Sequence, residues 1–60
     1  MYKLHEIDFF GIPHLLGSFK TLQEARKKER EALKASKGEF STYIEDGKKC
    51  ITYNGKIFKG

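Results

Sequence analysis

The sequence predicts an α+β domain, an antiparallel β-sheet with one helix packed across a face, in β-β-α-β-β-β order. Three observations lead there. Residues 21–38, TLQEARKKEREALKASKG, read as one capped helix. Two glycine turn signals, Asp46-Gly47 and Asn54-Gly55, punctuate the alternating stretch that follows. Ahead of the helix, two apolar-rich segments flank Gly11-Ile12-Pro13, a turn signal of its own.

Residues 2–10, YKLHEIDFF, form the expected first strand. Its faces are ambiguous, because Tyr2 and Leu4 share one parity while Ile7 and Phe9 share the other. A β-bulge near Glu6 would reconcile them. His14 to Lys20 is the expected second strand, with Gly17 marking either a close backbone approach or another bulge.

Thr21 is a suitable N-cap, and Glu24 three residues later completes the capping-box spacing that satisfies orphan backbone donors. Gly38 stands where a left-handed C-cap is wanted. At about 100° per residue, Leu22, Ala25, Ala32, Leu33 and Ser36 gather into a narrow apolar or small stripe. Beside it lie Arg26, Lys27, Arg30, Lys34 and Lys37, interrupted only by Gln23. Arg26–Arg30 and Arg30–Lys34 are like charges at i,i+4, each unfavourable by about 0.2–0.5 kcal/mol. Glu24–Lys28 and Lys27–Glu31 recover similar amounts. Glu29 is the misfit: its angle puts it near the middle of the stripe, where an unpaired carboxylate is costly. The expectation is a splayed contact in which Glu29 reaches water or a tyrosine hydroxyl.

Type I′ turns at Asp46-Gly47 and Asn54-Gly55 set the expected register of the last three strands. Ile44 then opposes Lys49, Thr42 opposes Ile51, Phe40 opposes Tyr53, and Ile51 opposes Phe58. One face collects Phe40, Ile44, Ile51, Tyr53 and Phe58, the expected core. The other collects Tyr43, Cys50, Thr52 and Ile57 among polar neighbours.

Sixty residues make one small domain, 1–60, which buries only about 60% of its unfolded surface. Small scaffolds often add a disulfide, a metal or a partner chain. Cys50 is the only cysteine, which excludes an internal disulfide and a cysteine-cluster zinc site. Five Phe and three Tyr argue for a packed domain rather than disorder. No apolar run approaches the ~20 residues needed to span a membrane, and no signal region follows Met1, so a soluble cytoplasmic protein without a membrane partner is expected.

Chemistry-bearing patterns are sparse. His5, His14 and Asp8 make a poor metal set, since a structural zinc site takes four ligands. Ser18, Ser41 and Cys50 have no recognisable base beside them, and the glycines build no phosphate-cradling loop. The expectation is a non-enzyme with no cofactor.

The segment LLGSFKTLQEARKKEREAL, about a third of the chain, resembles the strand-to-helix junction of plant APETALA-type domains and of the amino-terminal arm-binding domains of phage integrases. Gly17, Phe19, Thr21, Glu24 and Ala25 carry the resemblance. It implies DNA binding through a sheet whose three strands precede the helix. In this chain two strands precede the helix and a meander follows, and no DNA-reading residue is carried over.

Two functional readings follow. The first is a small accessory module that binds a protein partner or forms a homo-oligomer through the second sheet face, marked by Tyr43, Cys50 and Ile57. The alternative is nucleic-acid binding through Arg26, Lys27, Arg30, Lys34 and Lys37, helped by Lys48, Lys49, Lys56 and Lys59. A net charge of +4, from twelve basic and eight acidic residues, is compatible with an anionic partner, and Tyr43 would offer a stacking surface.

Overall fold

The structure is a computed structural model and describes residues 1–57. Strands β1 (Tyr2–Ile7) and β2 (Pro13–Phe19) precede helix α1 (Leu22–Ser36). Strands β3 (Ser41–Asp46), β4 (Lys49–Tyr53) and β5 (Lys56–Ile57) follow it. They form one antiparallel sheet in the order β2-β1-β3-β4-β5, with the helix packed against β1, β2 and β3. The predicted fold class and element order are those observed.

The helix begins as its capping residues require. Thr21 is extended (φ −123°, ψ 151°), and its hydroxyl accepts the Glu24 amide at 3.2 Å. Its C-terminus differs from expectation by one residue. Lys37, not Gly38, is the first left-handed position (φ 54°), and Gly38 follows at φ 79°. The Lys37 amide donates to Lys34 O and the Gly38 amide to Leu33 O, the paired bonds of a Schellman motif.

The first hairpin corrects the strand assignments. β1 ends at Ile7, and residues 8–12 form the connection, so Phe9 lies outside the strand. The irregularity sits in β2 rather than near Glu6: Leu4 pairs with Gly17 and His5 with Leu15, leaving Leu16 as the extra residue. A Cβ on Gly17 would stand 3.2 Å from Phe19 Cζ, so the glycine answers to the ring folded over it.

The two later turns divide. Asn54 (φ 52°) and Gly55 (φ 81°) are both left-handed, and Tyr53 pairs with Lys56, as a type I′ turn requires. The preceding hairpin is displaced. Asp46 pairs with Lys49, so the two-residue loop is Gly47-Lys48, with Gly47 at φ 64°. A bulge at Ile51 then brings Ile44 opposite Thr52 rather than Lys49. Thr52 therefore faces the helix, and Tyr53 turns outward with 47% of its surface exposed. Of the expected core, Ile44 is buried, Ile51 and Phe40 are half-buried, and Tyr53 is excluded. Phe58 and Lys59 lie outside the described residues.

Leu4, Ala25 and Ile44 form the buried apolar centre, with Tyr2, Phe19, Leu22 and Ile51 packed around it. Fully burying a leucine or isoleucine contributes about 1.5–3 kcal/mol, so two such residues and an alanine make a modest centre. Next to it, Glu29 is 1% exposed, which overturns the expected splayed contact. Its partners are threonines rather than water or tyrosine. Thr42 Oγ1 donates to Glu29 Oε2 at 3.0 Å, and Thr52 Oγ1 lies 3.2 and 3.0 Å from Oε1 and Oε2. Neutral hydroxyl donors from β3 and β4 thus receive a carboxyl from α1, and no described buried side-chain polar atom lacks a partner.

Candidate interaction surface

Residues 9–19, FFGIPHLLGSF, contain none of the chain's twenty charged residues. They build the tip and outer strand of the first hairpin, and their large apolar side chains are mostly outside. Phe9 and Phe10 are 83% and 88% exposed, and Ile12, Leu15 and Leu16 are exposed as well. Large apolar side chains gathered in solvent mark contact surfaces more often than chance placement does.

The tip is an organised turn. Asp8 Oδ1 accepts the amides of Phe10 (2.9 Å) and Ile12 (3.0 Å), and the Gly11 amide donates to Asp8 O. Asp8 Oδ2 accepts His14 Nε2–H at 2.7 Å, tying the start of β2 to the turn. The His14 hydrogen bond, then that from the Ile12 amide, hold the Asp8 carboxyl below its ordinary pKa, against the opposing effect of burial and with a lesser contribution from the Phe10 amide. An Asx-type turn of this kind presents Phe9 and Phe10 at low entropic cost. Phe9 also meets Phe40 edge to face, with centroids 6.3 Å apart.

Leu15 and Leu16, successive residues of β2, point to different sides of the sheet. Leu15 is opposite His5 on the face away from the helix. Leu16 lines a groove of about 500 Å³ on the helix side, together with Glu6, Ala32, Ala35 and Phe40.

On the face away from the helix, His5 stacks on Tyr43 (centroids 4.7 Å apart, planes inclined 15°) and donates from Nε2 to Glu45 Oε1 at 3.0 Å. Cys50 is opposite Glu45, and its Sγ–H donates to Thr52 O at 3.3 Å. Burial, then the charges of Glu45 and Cys50, push the Tyr43 phenol above its ordinary pKa. Of the three residues expected to mark this face, Tyr43 and Cys50 share it. Ile57 does not: it pairs with Thr52 and so stands on the helix side of the sheet edge. The two histidines diverge also, His5 to Glu45 and His14 to Asp8, and among the described residues no trio of His, Cys, Asp or Glu is placed to hold a metal ion.

The basic flank is present on the helix surface. Lys27, Arg30, Lys34 and Lys37 are exposed, while half-buried Arg26 donates to Gly55 O at 3.4 Å. Among the described residues, none of these five cations forms an ion pair; Lys28 does, with Glu31.

The exposed apolar tip was not singled out from the sequence, although its signal was there: eleven consecutive residues without charge in a chain that is 33% charged. No helix among the described residues is long and apolar enough to cross a membrane. No protein-family model matches the chain, and comparison with curated proteins and with solved structures finds no similar protein.

Proposed function

We propose that this chain is a small non-enzymatic binding module that works by contact with another polypeptide. The observation that carries the reading is the rigid, uncharged hairpin of residues 9–19, with Phe9 and Phe10 held in solvent by Asp8. Exposed aromatic side chains dominate the energetics of protein interfaces once a partner desolvates them. A turn pre-organised by five hydrogen bonds loses less freedom on binding than a flexible loop. The His5–Tyr43–Glu45 cluster supports the same reading as a polar neighbour of the apolar strand, since Leu15 stands opposite His5.

Nucleic-acid binding is the second reading, favoured by one observation: Lys27, Arg30, Lys34 and Lys37 are exposed and free of ion pairs among the described residues. Such contacts are sequence-independent and weaken steeply with salt.

A photo-crosslinking amino acid placed at Phe10, and separately at Arg30, discriminates the two in cells. Polypeptide adducts from position 10 with none from position 30 are expected. Nucleic-acid adducts from position 30, with no polypeptide adduct from position 10, would replace the first reading by the second.

A further inference from the structure

Taking residues 9–19 as a protein-contact surface, we infer that the partner is a second copy of this chain, joined by antiparallel pairing of β2 with β2 across a two-fold axis. The inference rests on the reading above and adds the identity of the partner. It begins with the sheet order, which leaves β2 at an edge. A free edge is a row of unpaired backbone donors and acceptors, and proteins that stay monomeric blunt it with lysines, prolines or bulges. β2 has Pro13 at its first position and the bulge at Leu16, but over Pro13–Phe19 it has no charged residue at all. The opposite edge carries Lys56.

The positions of the two leucines select the mode of contact. Leu15 and Leu16 lie on opposite faces of the sheet, so a partner seated on either face covers one and leaves the other wet. A strand added alongside β2 places side chains next to both, because successive residues of the new strand also alternate between faces.

Charge and area select the copy. The chain carries +4, so two copies repel in most orientations. The stretch 9–19 is where they approach with no charge on either strand. Phe9, Phe10, Ile12, Leu15 and Leu16 expose on the order of 600 Å², taking their fractional exposures and about 150–250 Å² per large side chain. A stable interface buries roughly 800 Å² per partner, so these five side chains and the intervening backbone supply most of what a dimer needs. Among the described residues eight large apolar side chains are exposed against three apolar residues fully buried; pairing of β2 covers Leu15 and Leu16, and the turn that carries Phe9, Phe10 and Ile12 lies at the end of the paired strands. The two-fold makes the interface isologous, so it closes at two chains instead of growing into a fibre.

Sedimentation equilibrium of the full chain between about 5 and 500 µM is the test. The expected result is a rise from the single-chain mass, 6.9 kDa, to twice that value. Leu15→Lys, and independently Ser18→Lys, are expected to restore the single-chain mass with the circular dichroism spectrum unchanged, while Ile57→Lys at the other edge leaves the dimer intact. Using two β2 variants keeps the test valid if one fails to fold. A wild-type chain that stays at single-chain mass throughout, or a dimer indifferent to both β2 lysines, overturns the inference. A monomer that still gives polypeptide adducts of foreign mass from position 10 would remove the second copy and keep the binding reading. A monomer that gives no polypeptide adducts removes both.

Discussion

Glu29 is the residue on which the interior depends most. It is buried, it comes from α1, and it alone accepts the hydroxyls of Thr42 on β3 and Thr52 on β4. Deleting an acceptor leaves its donors buried without partners, which costs about 1–3 kcal/mol for each group, whereas replacing all partners by apolar groups of similar shape is close to neutral. Glu29→Ala is therefore expected to lower unfolding stability by roughly 2–4 kcal/mol in urea titrations. The triple change Glu29→Leu, Thr42→Val, Thr52→Val is expected to restore most of the loss. A triple variant no better than Glu29→Ala would show that the hydroxyls are not the reason. Asp8 acts at the surface in a comparable way, as the acceptor that orders the tip. Its carboxyl has a lowered pKa in the folded state, so its contribution is complete above the ordinary carboxylate value near 4. That contribution is lost as pH falls through the lower folded value. Protection of the Phe10 and Ile12 amides against exchange, relative to the intrinsic rate at each pH, is expected to fall in that acid window, and Asp8→Asn is expected to lower it at neutral pH and remove this acid-induced loss. Tyr43 acts in alkali with the opposite sign. Its raised pKa keeps its contribution complete below the ordinary tyrosine value near 10, and stability falls as pH rises through the higher folded value.

Each element ends where its local chemistry permits, and the exceptions are informative. Lys37 holds a left-handed conformation (φ 54°) that a glycine adopts without strain. Lys37→Gly is expected to raise stability by ~1 kcal/mol, read from the denaturation midpoint. Asn54 is left-handed too, and its Oδ1 accepts the Thr42 amide at 3.0 Å while its own amide donates to Thr42 O at 2.7 Å. Asn54→Ala removes the side-chain acceptor and strains the backbone together, with an expected loss of about 1–2 kcal/mol. These details explain what the sequence revealed of the elements. The helix was legible because Thr21, Glu24 and the stripe of Leu22, Ala25, Ala32, Leu33 and Ser36 all agree on one span. The Asn54-Gly55 turn was legible because both residues tolerate positive φ. Asp46-Gly47 misled because Asp46 extends β3, so that Gly47-Lys48 becomes the loop. The slip, together with the bulge at Ile51, exchanged Tyr53 for Thr52 on the buried face. Glu29 looked anomalous in the stripe for the same reason: the register that brings Thr52 beneath it cannot be read from a two-residue turn signal alone.

For the whole molecule, a small interior and an uncharged outer hairpin are two sides of one distribution. The chain has enough apolar residues for a packed domain, but the fold places Phe9, Phe10, Ile12, Leu15 and Leu16 outside. A 60-residue chain has little margin to leave them there unless another surface covers them. The basic flank lies on the helix, away from this hairpin in sequence, and is separable by mutation. Arg30→Glu with Lys34→Glu is expected to leave dimer mass unchanged, and to abolish any binding of labelled DNA or RNA at low salt if the second reading holds. Candidate residues for that flank were legible from helical spacing alone, because exposure on a helix follows from angle. The hairpin surface was not, because a strand pattern does not say which strand lies at the edge. The proposed dimer satisfies the free β2 edge by strand pairing. Amide hydrogen exchange along residues 13–19, compared at about 5 and 500 µM, tests it most directly. Part of β2 is expected to exchange at least ~10-fold more slowly in the concentrated sample, as paired edge amides do, with β5 unchanged. Equal exchange of β2 at both concentrations would contradict it.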